Sequence, residues 1–357
     1  MRVLIVSMRY LGDCVVAAAL ARSVKEKMPD AEVWMLTFRR NLSILEGIES
    51  LDGVIGVEAK PSYLKQIREL IRLKGTFDWA IVTHGSTRAT LYGGFAGKRV
   101  VMHEQKKALK NCWRRWLGTD FVKSPGSAHK LDLIAVLLEP LLGEVPSPKP
   151  VAPFAALAND LASKMKERPF VVFHLCSQYE DKNLSNACWR ALGTRVIEAG
   201  YRVAFTGGGS AFEARQIAEV TKDWAQDDFV NLSGKLSFGQ TGALLREARA
   251  YVGVDTATTH VAAAVGCPTV VPFGPTSAVK WGPAPQNAPR NFKDGVSVQR
   301  SGNVSVIRHP DFLGCRECRS AHAARCPKSS NQALAECLQT LPVDLLWDEL
   351  RNRLMLV

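Results

Sequence analysis

The sequence predicts an α/β protein of two doubly wound, Rossmann-like domains facing a cleft, and three observations carry that expectation. Short apolar runs rich in β-branched residues alternate with helical segments, the pattern of βαβ units on a parallel sheet. The alternation fills the first half of the chain and starts again in the second. Between the halves, Pro146, Pro148, Pro150 and Pro153 punctuate a segment that can continue neither a helix nor a central strand. At 357 residues, with 46% hydrophobic and 22% charged content, the chain is long for one core and ordinary for two.

In order, residues 2–8 form an apolar run with no helical period, followed by Leu11-Gly12-Asp13 and a small-residue helix to about Met28. Strands near residues 32–38 and 54–57, a basic helix near 63–73, strands at 78–83 and 99–103 and a helix near 131–142 complete the first domain, 1–150. The second domain, 151–340, opens with a strand at 170–175, a helix near 187–199 and a strand at 202–205. After Gly207-Gly208-Gly209 come a helix near 212–220, a strand at 229–231 and a helix near 239–248. A strand at 251–254, a helix at 256–265 and a strand at 269–273 follow. The remaining segment, 341–357, reads as a terminal helix placed to pack back on the first domain.

A formal charge of +12, from 46 Lys and Arg against 34 Asp and Glu, points to polyanionic partners: nucleic acid, an anionic membrane surface or phosphorylated substrates. No apolar run reaches the ~18 residues needed to cross a bilayer. Arg9 and Asp13 interrupt the apolar start, which reads as strand, turn and helix and not as a secretion signal. Nine cysteines, an odd number, fit a reducing compartment better than a disulfide framework. The expected location is the cytosol.

The segment from Val252 through Asp255-Thr256-Ala257-Thr258-Thr259-His260 to Phe273-Gly274-Pro275-Thr276 carries the strongest chemical signal. A strand ends at Asp255 and a helix begins at once. Its first turn offers unpaired N–H groups, threonine hydroxyls and the positive end of the helix dipole, a site for a diphosphate at the carboxyl edge of a sheet. The plainer reading is that Thr256 caps the helix and His260 packs inside it.

These residues also resemble, with Val261-Ala262-Ala263-Ala264, Gly266 and Pro268, the donor-site signature of the ADP-heptose:lipopolysaccharide heptosyltransferases, glycosyltransferase family nine. Arg9-Tyr10-Leu11-Gly12-Asp13 resembles that family's amino-terminal acceptor loop, and the style is closest to its heptosyltransferase III branch. The resemblance implies the two-Rossmann GT-B architecture. It further implies an inverting, metal-independent transfer of heptose from ADP-heptose to the inner core of lipopolysaccharide, at the cytosolic face of the inner membrane. No cofactor is expected.

By the same resemblance Asp13 is the base that takes the acceptor's proton, with N-capping of the following helix as the other reading. Arg9 and Gly12 belong to the acceptor side. Lys182, in the loop after the first strand of the second domain, would neutralise the departing diphosphate, and Ser177 would offer it a hydroxyl. The family continues from that lysine into Arg/His-Trp-Pro, whereas this chain runs on into Asn183-Leu184-Ser185. Glu213 would take ribose hydroxyls, Leu236 would hold the adenine, and Asp255, Thr256, Ala257, Thr258 and His260 would organise the donor sugar and phosphates.

Between residues 98 and 123, Lys106, Lys107, Lys110, Arg114 and Arg115 alternate with Trp113 and Trp116. This suits an anionic lipid surface or acceptor phosphates, with Lys106 and Arg114 as acceptor contacts; a solvated helix face is the alternative. No nucleic-acid-binding motif accompanies the charge. Cys315, Cys318, Cys326 and Cys337 begin with a Cys-x-x-Cys pair and then depart from zinc-ribbon spacing, so free thiols are weighed against a structural zinc. Two rival functions remain open at this level, a nucleotide-sugar epimerase of the same fold and a non-catalytic glycan- or lipid-binding relic.

Overall fold

The computed structural model describes residues 1–104, 113–126, 128–313, 315, 326 and 334–355. It divides into two compact units, Met1–Pro153 and Phe154–Val357, parting inside the proline segment. Among the described residues no helix is long and apolar enough to cross a membrane.

Unit 1 runs β1 (Arg2–Val6), α1 (Leu11–Lys27), β2 (Glu32–Phe38), β3 (Gly53–Val57), α2 (Tyr63–Leu73), β4 (Phe77–Val82), α3 (Thr87–Ala96), β5 (Gly97–His103), α4 (Arg114–Leu117), β6 (Asp120–Val122), α5 (Lys130–Ala135) and α6 (Glu139–Leu142). Its sheet has the order β3-β2-β1-β4-β5-β6, and every pairing is parallel. Parallel crossovers are right-handed, so reversal of the strand order at β1 sorts the helices onto two faces. Helix α1 packs with α5 on one; α2, α3 and α4 follow one another on the other. Under that second layer lie Leu4, Val6, Val82, Tyr92 and Val100, all buried. Helix α3 was not expected from the sequence. Its Gly93 and Gly94 weaken the helical signal, yet a Cβ on Gly93 would stand 2.4 Å from a Val82 methyl, so glycine lets the helix settle close on β4.

Unit 2 runs α7 (Asn159–Lys166), β7 (Phe170–His174), α8 (Asn186–Glu198), β8 (Arg202–Phe205), α9 (Ala211–Thr221), β9 (Phe229–Asn231), α10 (Phe238–Glu247), β10 (Ala250–Gly253), α11 (Ala257–Ala264), β11 (Thr269–Pro272), α12 (Ala278–Trp281), β12 (Val298–Ser301), β13 (Val304–Ile307), α13 (Glu336–Gln339) and α14 (Val343–Met355). The sheet order is β12-β13-β11-β10-β7-β8-β9, and the reversal falls between β10 and β7. Strand β12 alone runs antiparallel, joined to β13 through Gly302, whose φ is +50°.

Helix α14 lies on α8, β10, β11 and β13. Its buried face packs within the second unit. Leu346 and Leu350 are fully buried there. Glu349 is only 2% exposed and accepts from Arg300 Nε at 2.8 Å and Ser305 Oγ at 2.7 Å. Arg353 Nε reaches the same Ser305 hydroxyl at 2.7 Å. Burial pushes the Glu349 carboxyl up, but Arg300, Ser305 and Arg353 more than offset it and hold it below its ordinary value.

Candidate active site

In an open α/β sheet, ligands bind outside the carboxyl ends of the strands where the strand order reverses. In unit 1 that point is the end of β1 beside β4, and each strand delivers a titratable side chain to it. Beyond β1, Asp13 sits in the first turn of α1, 7% exposed. The N-cap position is Tyr10 and no side chain caps the helix, so the capping reading of Asp13 does not hold. Its Oδ1 has no hydrogen-bond partner among the described residues; Lys130 Nζ stands 3.9 Å away, an ion-pair distance. Beyond β4, His84 directs Nε2 to the Met8 carbonyl at 3.0 Å, within electrostatic reach of Asp13. Burial pushes this imidazole down to about 4, helped by Arg9 and Lys130, so it is neutral near pH 7.

Arg9 is exposed in the β1–α1 turn, where its carbonyl accepts from Asn41 Nδ2 at 2.8 Å, and Gly12 stands beside Asp13 in the first helical turn. Arg114 opens α4 and donates to the Gly85 carbonyl, just past β4, with its guanidinium 5.4 Å from the Trp113 ring centroid. Lys106 lies outside the described residues. Lys130 and His84 were not expected at this site. They join Asp13 only through the fold, and no local motif announces them.

In unit 2 the reversal lies between β7 and β10, and both strands again deliver charge. The loop after β7 carries Lys182, whose Nζ donates to Asp255 Oδ2 at 2.7 Å, just beyond β10. The pair is well covered, with Lys182 22% and Asp255 9% exposed. Thr256 occupies the N-cap of α11 but makes no capping bond; its hydroxyl lies 3.5 Å from that of Thr259. The first turn of α11, with Ala257 half-buried and Thr258 buried, thus starts without a side chain on its amides. Thr259 is held from below: its Oγ1 donates to the Val254 carbonyl at 2.5 Å and lies 2.9 Å from the buried Tyr251 hydroxyl. His260 is buried in the next turn.

Other expected donor residues have local tasks. The Ser177 hydroxyl accepts from the Tyr179 amide at 3.2 Å, which shapes the loop and leaves its own proton to give. Glu213 accepts from the Gly208 and Ser210 amides, each at 2.9 Å, and forms a capping box with Ser210. Burial raises the Glu213 carboxyl, and these donors outweigh it to leave it below its ordinary value. Gly209, at φ +78°, crosses the Gly234 backbone so closely that a Cβ would lie 2.7 Å from the Gly234 Cα. Leu236 is half-buried before α10.

His174 ends β7, its Nδ1 3.1 Å from the Thr206 hydroxyl. Burial pushes it down to about 4, opposed by Glu213. The unfolded chain binds this proton at higher pH than the folded one, so the stability it contributes is present above about 6.5 and lost as pH falls toward 4. Full expression of the shift amounts to about 3 kcal/mol. His174→Asn should narrow the difference in urea unfolding free energy between pH 7 and pH 4.5 by about 2 kcal/mol. An unchanged difference would locate the acid sensitivity elsewhere.

Cys315, Cys326 and Cys337 form no disulfide among the described residues, and Cys318 lies outside them. Burial pushes Cys337 up to about 11, with Cys326 and Cys315 near enough to add to the rise. Among the described residues no group of three or more His, Cys, Asp or Glu is placed to hold a metal ion.

Comparisons with known proteins bear on this arrangement. The chain is 24% identical over 300 residues to lipopolysaccharide heptosyltransferase 3 of Escherichia coli K12, covering 78% of this chain and 84% of that one. The structure of Escherichia coli ADP-heptose LPS heptosyltransferase II superposes over 100% of this chain and 99% of its own, with a TM-score of 0.73 at 17% identity. Escherichia coli heptosyltransferase WaaC with ADP-2-deoxy-2-fluoro heptose matches over 98% of this chain and 99% of its own, with a TM-score of 0.68 at 17% identity. These structural likenesses establish the GT-B fold. The sequence profile of glycosyltransferase family 9 (heptosyltransferase) matches residues 69–297, well over half of the chain. On that match the chain belongs to glycosyltransferase family 9 and is a glycosyltransferase.

Proposed function

We propose that this protein transfers heptose from ADP-heptose onto the inner core of lipopolysaccharide, with inversion at the anomeric carbon and without a metal ion. The observation that carries the chemistry is Asp13: a buried carboxylate at the carboxyl edge of the first sheet, one oxygen of which accepts no hydrogen bond among the described residues. That oxygen takes the proton of the acceptor hydroxyl as its oxygen bonds to the anomeric carbon and the bond from that carbon to the ADP phosphate breaks. Lys130 stands at ion-pair distance from that carboxylate, and neutral His84 adds no competing positive charge. Charge developing on the departing diphosphate is met by Lys182 and the uncapped first turn of α11, which supply without a metal what a bound cation supplies elsewhere. The choice of heptose and ADP rests on the relatives, among them a heptosyltransferase solved with an ADP-heptose analogue.

The test is ADP release and product mass with ADP-heptose, with and without a truncated core acceptor. Acceptor-dependent release, a heptose added with inverted anomeric configuration, and a rate unchanged in excess EDTA are the expected results. Release abolished by EDTA and restored by a divalent cation would overturn metal independence. Donor binding without transfer to any core acceptor would overturn the choice of acceptor.

A further inference from the structure

The layer of α2, α3 and α4 on the second face of unit 1 is unlike the outside of an ordinary α/β domain. Of α2 only Leu73 is fully buried, while Tyr63, Leu64 and Ile71 are 78%, 68% and 65% exposed. Leu64 and Ile71 stand two turns apart on the solvent-facing arc, with Arg68 and Arg72 beside them. Helix α4 presents Trp116 at 89% exposure, and Phe95 of α3 is exposed between the two. The charge on these three helices is one-sided. Their six cations outnumber one carboxylate, Glu69, which is turned inward to accept from the Tyr92 hydroxyl; Lys65 is paired with Glu58, and Arg88 and Arg114 donate to backbone carbonyls, which leaves Arg68, Arg72 and Arg115 as the surface charge. Lys65, Arg68 and Arg72 also line, with Arg39, a cavity of about 260 Å³ between α2 and β3.

We infer that this face docks on an anionic bilayer, with Leu64, Ile71 and Trp116 entering the headgroup region and the flanking arginines meeting lipid phosphates. Long apolar side chains interleaved with cations on a helix too short to span is the pattern of an interfacial helix. Charge complementarity selects the occupant. A second copy docking through the same patch would press Arg68, Arg72 and Arg115 against their own counterparts, whereas acidic lipid answers them. The inference rests on the reading above that the acceptor is a membrane-held glycolipid, and it assigns the surface that brings the enzyme to it.

The experiment is flotation of the full chain with vesicles of phosphatidylglycerol and phosphatidylethanolamine, or of phosphatidylcholine alone. Two surface variants accompany it, Leu64→Ser/Ile71→Ser/Trp116→Ser and Arg68→Glu/Arg72→Glu. Wild type should float with the anionic vesicles and not the neutral ones. Each variant should lose at least about tenfold in partition, with unchanged thermal melting and unchanged transfer to a deacylated, water-soluble acceptor. Variants that float like wild type, wild type that ignores anionic vesicles, or wild type that binds neutral ones equally would each overturn the inference. So would a wild-type dimer that the serine variant converts to monomer, since the patch would then be a protein interface. Transfer to the soluble acceptor without vesicle binding removes the docking face and leaves the transferase. The expected vesicle pattern in a protein that transfers nothing supports the face and removes the transferase reading.

Discussion

Asp13→Asn should lower kcat for heptosyl transfer by roughly 10²–10⁴-fold, the usual contribution of a general base, while leaving donor affinity nearly unchanged. Asparagine keeps the shape of the side chain in the first turn of α1, so the helix loses little: it has no side-chain cap to forfeit, and Lys130 is at ion-pair rather than hydrogen-bond distance. What disappears is the proton acceptor. The residues proposed to hold the donor belong to the other unit, so ADP-heptose binding measured by calorimetry should hold while ADP release falls. A mutant within a factor of a few of wild type would show that Asp13 only positions the acceptor. Weakened donor binding alongside the lost rate would place Asp13 in the donor site and undo its assignment as base.

Lys182→Ala should cost both rate and stability, and the two losses can be separated. Removing a cation from the leaving group's path lowers kcat by about 10²–10³-fold, as for other preorganised charge stabilisers. It also strands Asp255, 9% exposed, without its partner at 2.7 Å. Uncompensated buried carboxylates are costly; because Lys182 keeps some solvent contact, the expected loss is about 1–3 kcal/mol in urea unfolding. Adding Asp255→Asn should return most of that stability and none of the rate. If the double variant regains activity, Lys182 serves only to neutralise Asp255 and the diphosphate is met elsewhere.

Most of the strand–helix alternation is legible in the sequence because buried parallel strands are written as unbroken apolar runs, as in residues 3–6 and 170–173. The segments that escape are those where glycine or polarity blurs the signal. Helix α3 hides behind Gly93 and Gly94, which its close contacts with Val82 of β4 and Leu117 of α4 require. The β12–β13 hairpin alternates polar and apolar residues around Gly302-Asn303, a turn signal passed over beside the stronger parallel runs. The positions of Asp13 in the first unit and of Lys182 and Asp255 in the second, each beyond a strand end, were readable because each follows a strand at a local motif. Lys130 and His84 were not, since only the strand order brings them to Asp13. Ser210-x-x-Glu213 is a capping box in sequence as in structure, a local task that the ligand reading of Glu213 passed over.

The burial of Glu349 and Arg353 against the strands of the edge hairpin also sets the order in which the molecule can be made. Every strand of the first sheet has been synthesised by β6, so that sheet can close while the second is still being translated. The second must wait: until α14 leaves the ribosome, Ser305 and Arg300 lack their acceptor and the inner face of β13 lacks its cover. A nascent chain arrested just before Val343 should therefore yield a protease-resistant first unit attached to a digestible second one. Equal resistance of both halves would show that the second sheet consolidates without its last helix.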